Sequence, residues 1–179
     1  MSYTKKDYES NDGMLTYIWG PPLWHFLHTM SFNYPVNPTE EDKDKYYNFL
    51  LSLGEILPCK YCRDNFTNNL KSIKFNETDF NSRENFSRMI YDLHNEVNHV
   101  LKKDSNSEFN DIQWKYEHFR ARCNLDDLRK SKKGDGENGC VEPYNKKIPK
   151  HKCKLEIIPL TKENTNDDNI CFDKCILKK

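Results

Sequence analysis

From Arg83 to Lys103 the chain reads RENFSRMIYDLHNEVNHVLKK, and its apolar residues Phe86, Ile90, Leu93, Val97 and Leu101 recur at spacings of three and four. That period draws one stripe along an α-helix and argues against a strand, whose side chains alternate between two faces. A stripe of this length must be covered by other elements, and the sequence supplies them. PTEEDKDKYYNFLLSLGEILP carries Tyr46, Phe49, Leu50, Leu53, Ile56 and Leu57 on a second helical stripe, which Pro58 ends. Its start is marked by Thr39 and Asp42, laid out as a capping box with Asp in place of the usual Glu or Gln.

PPLWHFLHTMSFNY supplies another helix, with Trp24, Leu27, His28 and Ser31 at helical spacing and Pro21 and Pro22 at its start. A further helix begins at Cys59, where Cys62, Phe66 and Leu70 share a face. Four amphipathic helices with short connections predict an all-α fold, an antiparallel four-helix bundle, with a short fifth helix carrying Trp114 and Phe119. Past Cys123 the periodicity dissolves. RKSKKGDGENG is a hydrophilic linker by composition, and HKCKLEIIPL predicts one short strand limited by Pro159. The expected organisation is a flexible N-terminus over 1–15, a helical domain over 16–123, and a polar linker with a cysteine-containing tail over 124–179.

Charge and targeting signals narrow the classes. Of 179 residues, 28 are Lys or Arg and 28 are Asp or Glu, so no net field draws the chain to nucleic acid. Neither a membrane span nor an apolar run of signal-peptide length is visible, and synthesis in the cytosol without that signal is the expectation. Seven cysteines in such a sequence point to metal or redox chemistry before a structural disulfide framework.

The spacing Cys59-Lys60-Tyr61-Cys62 serves either chemistry. At a helix N-terminus, unpaired N–H groups favour thiolate, which both zinc ligation and thiol–disulfide exchange require. Zinc needs two more ligands; Cys140, His151, Cys153, Cys171 and Cys175 are the candidates, and none forms a second two-residue-spaced cysteine pair. His94, Asn95 and Asn98 raise a separate question, since they interrupt the apolar stripe of the strongest helix. Polar groups buried without partners cost about 1–3 kcal/mol each, and a flat hydrogen-bonding ligand would satisfy them. Trp24 and Trp114 suit the same ligand by stacking.

Taken together, WGPPLWHFLHTMSFNYP, LPCKYC, LHNEVN and the later Trp114 resemble the Erv/ALR family of FAD-linked sulfhydryl oxidases, over roughly Ile18 to Cys123. The order W-x-x-x-H, then C-x-x-C after a proline, then H-N-x-V-N is the family's. The resemblance implies a helical bundle that holds FAD, and a sulfhydryl oxidase domain over 16–123. It implies that Cys62 faces the flavin and that Cys59 exchanges with incoming thiols. Trp24 and His28 would line the flavin, with Gly20 also at the cofactor. His94, Asn95, Val97 and Asn98 would contact the adenine and ribose side, Lys103 would lie near phosphate, and Trp114 would stack on the adenine side.

The implied reaction takes protein thiols and molecular oxygen to disulfide and hydrogen peroxide, with neither nucleic acid nor membrane as partner. A zinc-binding interaction protein is the alternative. The resemblance also marks departures. Tyr91 stands where many members have the first cysteine of a structural disulfide, so that staple is missing. Cys123 matches a subunit-joining cysteine, yet no cysteine precedes Cys59, which leaves a non-covalent homodimer as the expectation. Cys171 and Cys175 in CFDKC are the candidate shuttle dithiol. The Asn- and Lys-rich composition is similar to members encoded by large DNA viruses. That implies infected-cell cytoplasm or virion, with the mitochondrial intermembrane space as the alternative.

Overall fold

A computed structural model describes residues 4–103, 107–122 and 142–143 of the chain. Six α-helices and one 3₁₀ turn follow in order: α1 Lys5–Glu9, α2 Thr16–Phe32, α3 Glu40–Ile56, α4 Lys60–Ser72, the 3₁₀ turn Glu77–Phe80, α5 Arg83–Val100 and α6 Phe109–Glu117. The four long helices α2 to α5 form the bundle, with α6 as the short fifth helix.

Local sequence explains most of the boundaries. Thr39 caps α3 reciprocally: its hydroxyl accepts from the Asp42 N–H at 3.1 Å, and its own N–H donates to the Asp42 carboxylate at 2.9 Å. Ser82 caps α5 by accepting from the Asn85 N–H. The two prolines do not open α2 as the sequence suggested; the helix starts at Thr16 and contains both. Proline's fixed φ is compatible with a helix, and the loss is confined to the carbonyls of Tyr17 and Ile18, both exposed to water. The region expected to be a flexible N-terminus includes α1 and a segment that pairs with the backbone at Cys59.

The main core is Leu27 and Tyr34 from α2 and its C-terminal turn, Leu50, Leu53 and Leu57 from α3 and its end, Phe66 and Leu70 from α4, Phe80, and Phe86, Met89, Ile90 and Leu93 from α5. The expected stripe of α5 thus packs through Leu93. It fades toward the helix end, where Val97 is half-buried and Leu101 is 46% exposed. Gly54 lets α3 approach α4 closely, since a Cβ there would collide with the Phe66 ring. A second cluster joins Phe32 of α2 to Phe109 and Tyr116 of α6, with Tyr91 and Ile112 against it.

This compact unit ends at Phe119, where the sequence alone suggested Cys123. In the unit that follows, Ala121–Arg122 pairs antiparallel with Glu142–Pro143. The strand expected within HKCKLEIIPL, residues 151–160, lies outside the described residues, as do Cys123, Cys140, His151, Cys153, Cys171 and Cys175. No helix among the described residues is long and apolar enough to cross a membrane.

Candidate functional site

Pro58 stops α3, and the chain turns extended at Cys59, with φ −155° and ψ 120°, before α4 begins. Cys59 is the N-cap of α4, and its Sγ accepts from the Cys62 N–H at 3.2 Å. The two cysteines are joined as a disulfide with Cα atoms 5.2 Å apart, within the usual range for such a bond. Both are half-buried, and Cys62 packs against the main core. The spacing of three residues at a helix start is what brings the two sulfurs within reach of each other.

Three rings converge between α2 and α5. Trp24 stacks on His94 at 4.1 Å between centroids and 9° between planes. His28 Nε2 hydrogen-bonds His94 Nδ1 at 3.0 Å, so the two nitrogens share a single proton between them. His28 is only 2% exposed, and its Nδ1 is buried with no hydrogen-bond partner among the described residues. Burial, then the neighbouring His94, Lys115 and His25 charges, push the His28 pKa down to about 3. Burial and then Lys103 lower that of His94 to about 4. At neutral pH both rings are therefore uncharged, and a buried ring nitrogen faces its surroundings without a partner.

Other expected residues lie around these two groups. Asn95, Val97 and Asn98 are half-buried on α5, and the Asn98 carbonyl accepts from the Lys103 N–H at 2.9 Å. Lys103 itself is exposed. A Cβ added at Gly20 would meet nothing within 4 Å. Trp114 is 59% exposed, and its ring contact is with His118 at 4.0 Å, not with Trp24. Cys171 and Cys175 lie outside the described residues.

Sequence alone assigned Trp114 and Phe119 to the fifth helix and gave no part to Tyr116. Phe109, Ile112 and Tyr116 form the inward stripe of α6, while Trp114 is exposed and Phe119, also exposed, lies beyond the end of the helix at Glu117. Trp114 and Tyr116 are two positions apart, so a helix cannot bury both on one face. Tyr116 stacks on His28 at 5.2 Å and 29°, and its hydroxyl bonds His25 Nδ1 at 3.1 Å. The i, i+3, i+7 spacing of Phe109, Ile112 and Tyr116 was the available signal.

Tyr91 also has a definite role. Its hydroxyl donates to the Ser107 carbonyl at 2.9 Å, and its ring meets Phe109 edge-on at 5.5 Å. The Arg88 guanidinium lies 4.0 Å over the same Phe109 ring. These contacts tie α5 to the start of α6, across the place where the family resemblance would put a disulfide.

Comparison with known proteins agrees with this architecture. The chain is 41% identical over 85 residues to a probable FAD-linked sulfhydryl oxidase of Acanthamoeba polyphaga mimivirus, covering 48% of this chain and 59% of that protein. It is 33% identical over 97 residues to the mitochondrial FAD-linked sulfhydryl oxidase of Saccharomyces cerevisiae, covering 54% and 50%. An FAD-linked sulfhydryl oxidase of African swine fever virus is 31% identical over 96 residues, with 52% and 78% covered. The chain spans about half the length of the first relatives it matches. In three dimensions it superimposes on the crystal structure of the yeast Erv1 core with TM-score 0.52 and 27% identity, covering 65% of this chain and 91% of that one. A family model described as the Erv1 / Alr family matches residues 21–118 of the 179, which contain both the cysteine pair and the histidine cluster. The chain belongs to the Erv1/Alr family.

Proposed function

We propose that this protein is an FAD-dependent thiol oxidase that converts protein thiols and dioxygen to disulfide and hydrogen peroxide. The observation that carries the reading is the Cys59–Cys62 disulfide at the start of α4, in one bundle with the neutral Trp24–His28–His94 cluster. A substrate thiolate attacks Cys59 Sγ, the Cys59–Cys62 bond breaks, and Cys62 leaves as a thiolate. A second substrate thiolate then attacks the mixed disulfide, releasing oxidised substrate and the Cys59 thiolate. The Cys62 N–H, already directed at Cys59 Sγ, is placed to stabilise that charge. Two electrons have then moved from substrate to the pair, which must pass them on before the next turnover.

The residues present fit a flat aromatic cofactor. Trp24, His28 and His94 offer uncharged rings, His28 Nδ1 is a buried polar atom awaiting a partner, and the space beside Gly20 is open. FAD, when bound, supplies the two-electron acceptor that links the dithiol to dioxygen. Trp24, His28 and Gly20 would hold its flavin end. His94, Asn95, Val97, Asn98 and Lys103 would hold the adenine, ribose and phosphate side, with Trp114 stacking there. The names of the viral and yeast relatives support this assignment.

A non-covalent homodimer is part of the same reading, as is a relay through Cys171 and Cys175. Action in infected-cell cytoplasm or the virion belongs to the same proposal and is supported by the viral relatives, with the mitochondrial intermembrane space as the second location, in keeping with the mitochondrial yeast relative. The visible spectrum of the purified full chain tests the whole. Flavin bands that bleach with anaerobic dithiothreitol and return in air support the oxidase, and Cys62→Ser should keep the colour but lose thiol-dependent oxygen uptake. A colourless chain that also fails to take up added FAD would sink the reading. Replacing Cys171 and Cys175 with Ser tests the relay: protein thiols should be oxidised more slowly and dithiothreitol at the same rate.

A further inference from the structure

Residues 11–14 run alongside the cysteine pair as a short extended strap. Gly13 forms an antiparallel bridge with Cys59. The Met14 N–H donates to the Pro58 carbonyl at 2.6 Å, and the Lys60 N–H donates to the Asp12 carbonyl at 2.9 Å. Arg63, in the first turn of α4, clasps both sides: Nη1 donates to the Leu57 carbonyl at 2.6 Å and Nη2 to the Asn11 carbonyl at 3.2 Å. At the far end, Trp19 Nε1 donates to the Met14 carbonyl at 3.1 Å. Every residue from 4 to 18 is exposed, so hydrogen bonds rather than packing hold the strap.

Only glycine serves at the bridge. Gly13 has φ +103°, which L side chains rarely adopt. A Cβ there would lie 2.5 Å from the Pro58 oxygen and 2.9 Å from Cys59 Cα, both backbone atoms with nowhere to move. Any other residue at 13 must therefore lift the strap from Cys59.

We propose that Gly13 is a positioning residue for the Cys59–Cys62 pair: the strap it permits holds the backbone on both sides of Cys59 extended, and so favours the disulfide over the dithiol. The inference rests on the redox reading of that pair. Closing the disulfide from a free backbone loses conformational freedom at 58–60. With the strap in place that freedom is already lost in the dithiol, so closure costs less. Removing the strap loosens the dithiol, which has no covalent link between its sulfurs, more than the disulfide, which does.

The test is an exchange equilibrium. Glutathione disulfide and the two cysteine thiols give the Cys59–Cys62 bond and two glutathione thiols, with two electrons and two protons passing to glutathione. The full chain and its Gly13→Ala variant are equilibrated anaerobically in glutathione buffers, trapped by alkylation and weighed. Hydrogen exchange at the Met14 and Lys60 amides reports whether the strap has left. The expected result is loss of protection at both amides and an oxidised-to-reduced ratio about tenfold lower than wild type, or about 30 mV for this two-electron couple.

A loss of stability alone would lower the melting temperature without moving that ratio. The proposal is overturned if the amides stay protected in Gly13→Ala, or if they are released and the ratio stays within about twofold of wild type. Should Gly13→Ala fail to fold, Arg63→Met, which removes both clasping bonds, is followed by the same two measurements, and the same outcomes support or overturn the proposal. A wild-type pair that never equilibrates with glutathione would instead remove the redox reading on which the inference stands.

Discussion

Around Cys59 the backbone does the holding, whereas around His28 the side chains do. The cysteine pair is fixed by a helix start, a bridge to Gly13 and two guanidinium bonds to carbonyls. The histidine cluster is fixed by Trp24 on His94, His94 on His28, and Tyr116 on His28, joining residues 66 and more positions apart. The first region is vulnerable to whatever changes φ or adds a Cβ. The second is vulnerable to loss of a ring and to protonation. For the proposed chemistry this division is useful: a pair that must break and re-form its own bond is held by groups that do not react. The rings that would face a cofactor are instead set by packing on one another, with His28 the one shut off from water.

The sharpest way to break that contrast is His94→Ala. It removes the stack on Trp24 and leaves His28 with neither nitrogen satisfied, which should cost about 2–4 kcal/mol from the lost ring and the stranded polar atom together. Urea unfolding measures the loss, and FAD content should fall with it. The Cys59–Cys62 exchange equilibrium should stay at its wild-type value. A shift there as large as the one expected for Gly13→Ala would mean that the two regions are not separately held.

Acid sharpens the same contrast. The ordinary histidine value is 6.5, and His28 and His94 are lowered to about 3 and about 4. Between those values the unfolded chain binds protons that the native rings refuse, so stability is complete above about pH 6.5 and falls as the pH falls. The slope is at most about 1.4 kcal/mol per pH unit for each histidine, and less where the pair is coupled. Unfolding followed from pH 7 to pH 4 should show this loss in wild type and a shallower one in His94→Ala. Gly13→Ala should keep the wild-type slope; a flattened slope there would tie the strap to the histidines.

The smallest expected effect is that of Tyr116→Phe. It deletes the hydroxyl bonded to His25 Nδ1 but keeps the ring on His28, so about 1 kcal/mol should be lost. Thermal unfolding would register it. A loss as large as that of His94→Ala would show that the hydroxyl, rather than the ring, sets His28.

Much of the fold was legible because its signals are local. Phe86, Ile90 and Leu93 announce α5 by their period, and Thr39 with Asp42 announces the start of α3 through bonds between residues three apart. The cysteine pair is legible for the same reason. The two prolines misled, because a residue that commonly begins helices is also tolerated one turn in, where the residues left without a backbone partner, Tyr17 and Ile18, are exposed. Trp114 lies on α6 as its sequence suggested, but the face of α6 that meets α2 is set by Phe109 and Tyr116, which the sequence reading passed over.

By itself the sequence determined what a period or a short spacing can encode: helices, caps, the dithiol and an uncommon set of polar residues on an apolar helix. The tertiary structure alone decided what depends on two distant segments meeting. It chose His94 as the partner of His28, turned Tyr116 rather than Trp114 inward, and laid Gly13 against Cys59. The physical reason is range. Hydrogen bonds within a turn are written in neighbouring letters, whereas a ring stacked across two helices or a backbone bridge over 46 residues, from 13 to 59, leaves no periodic trace in either segment.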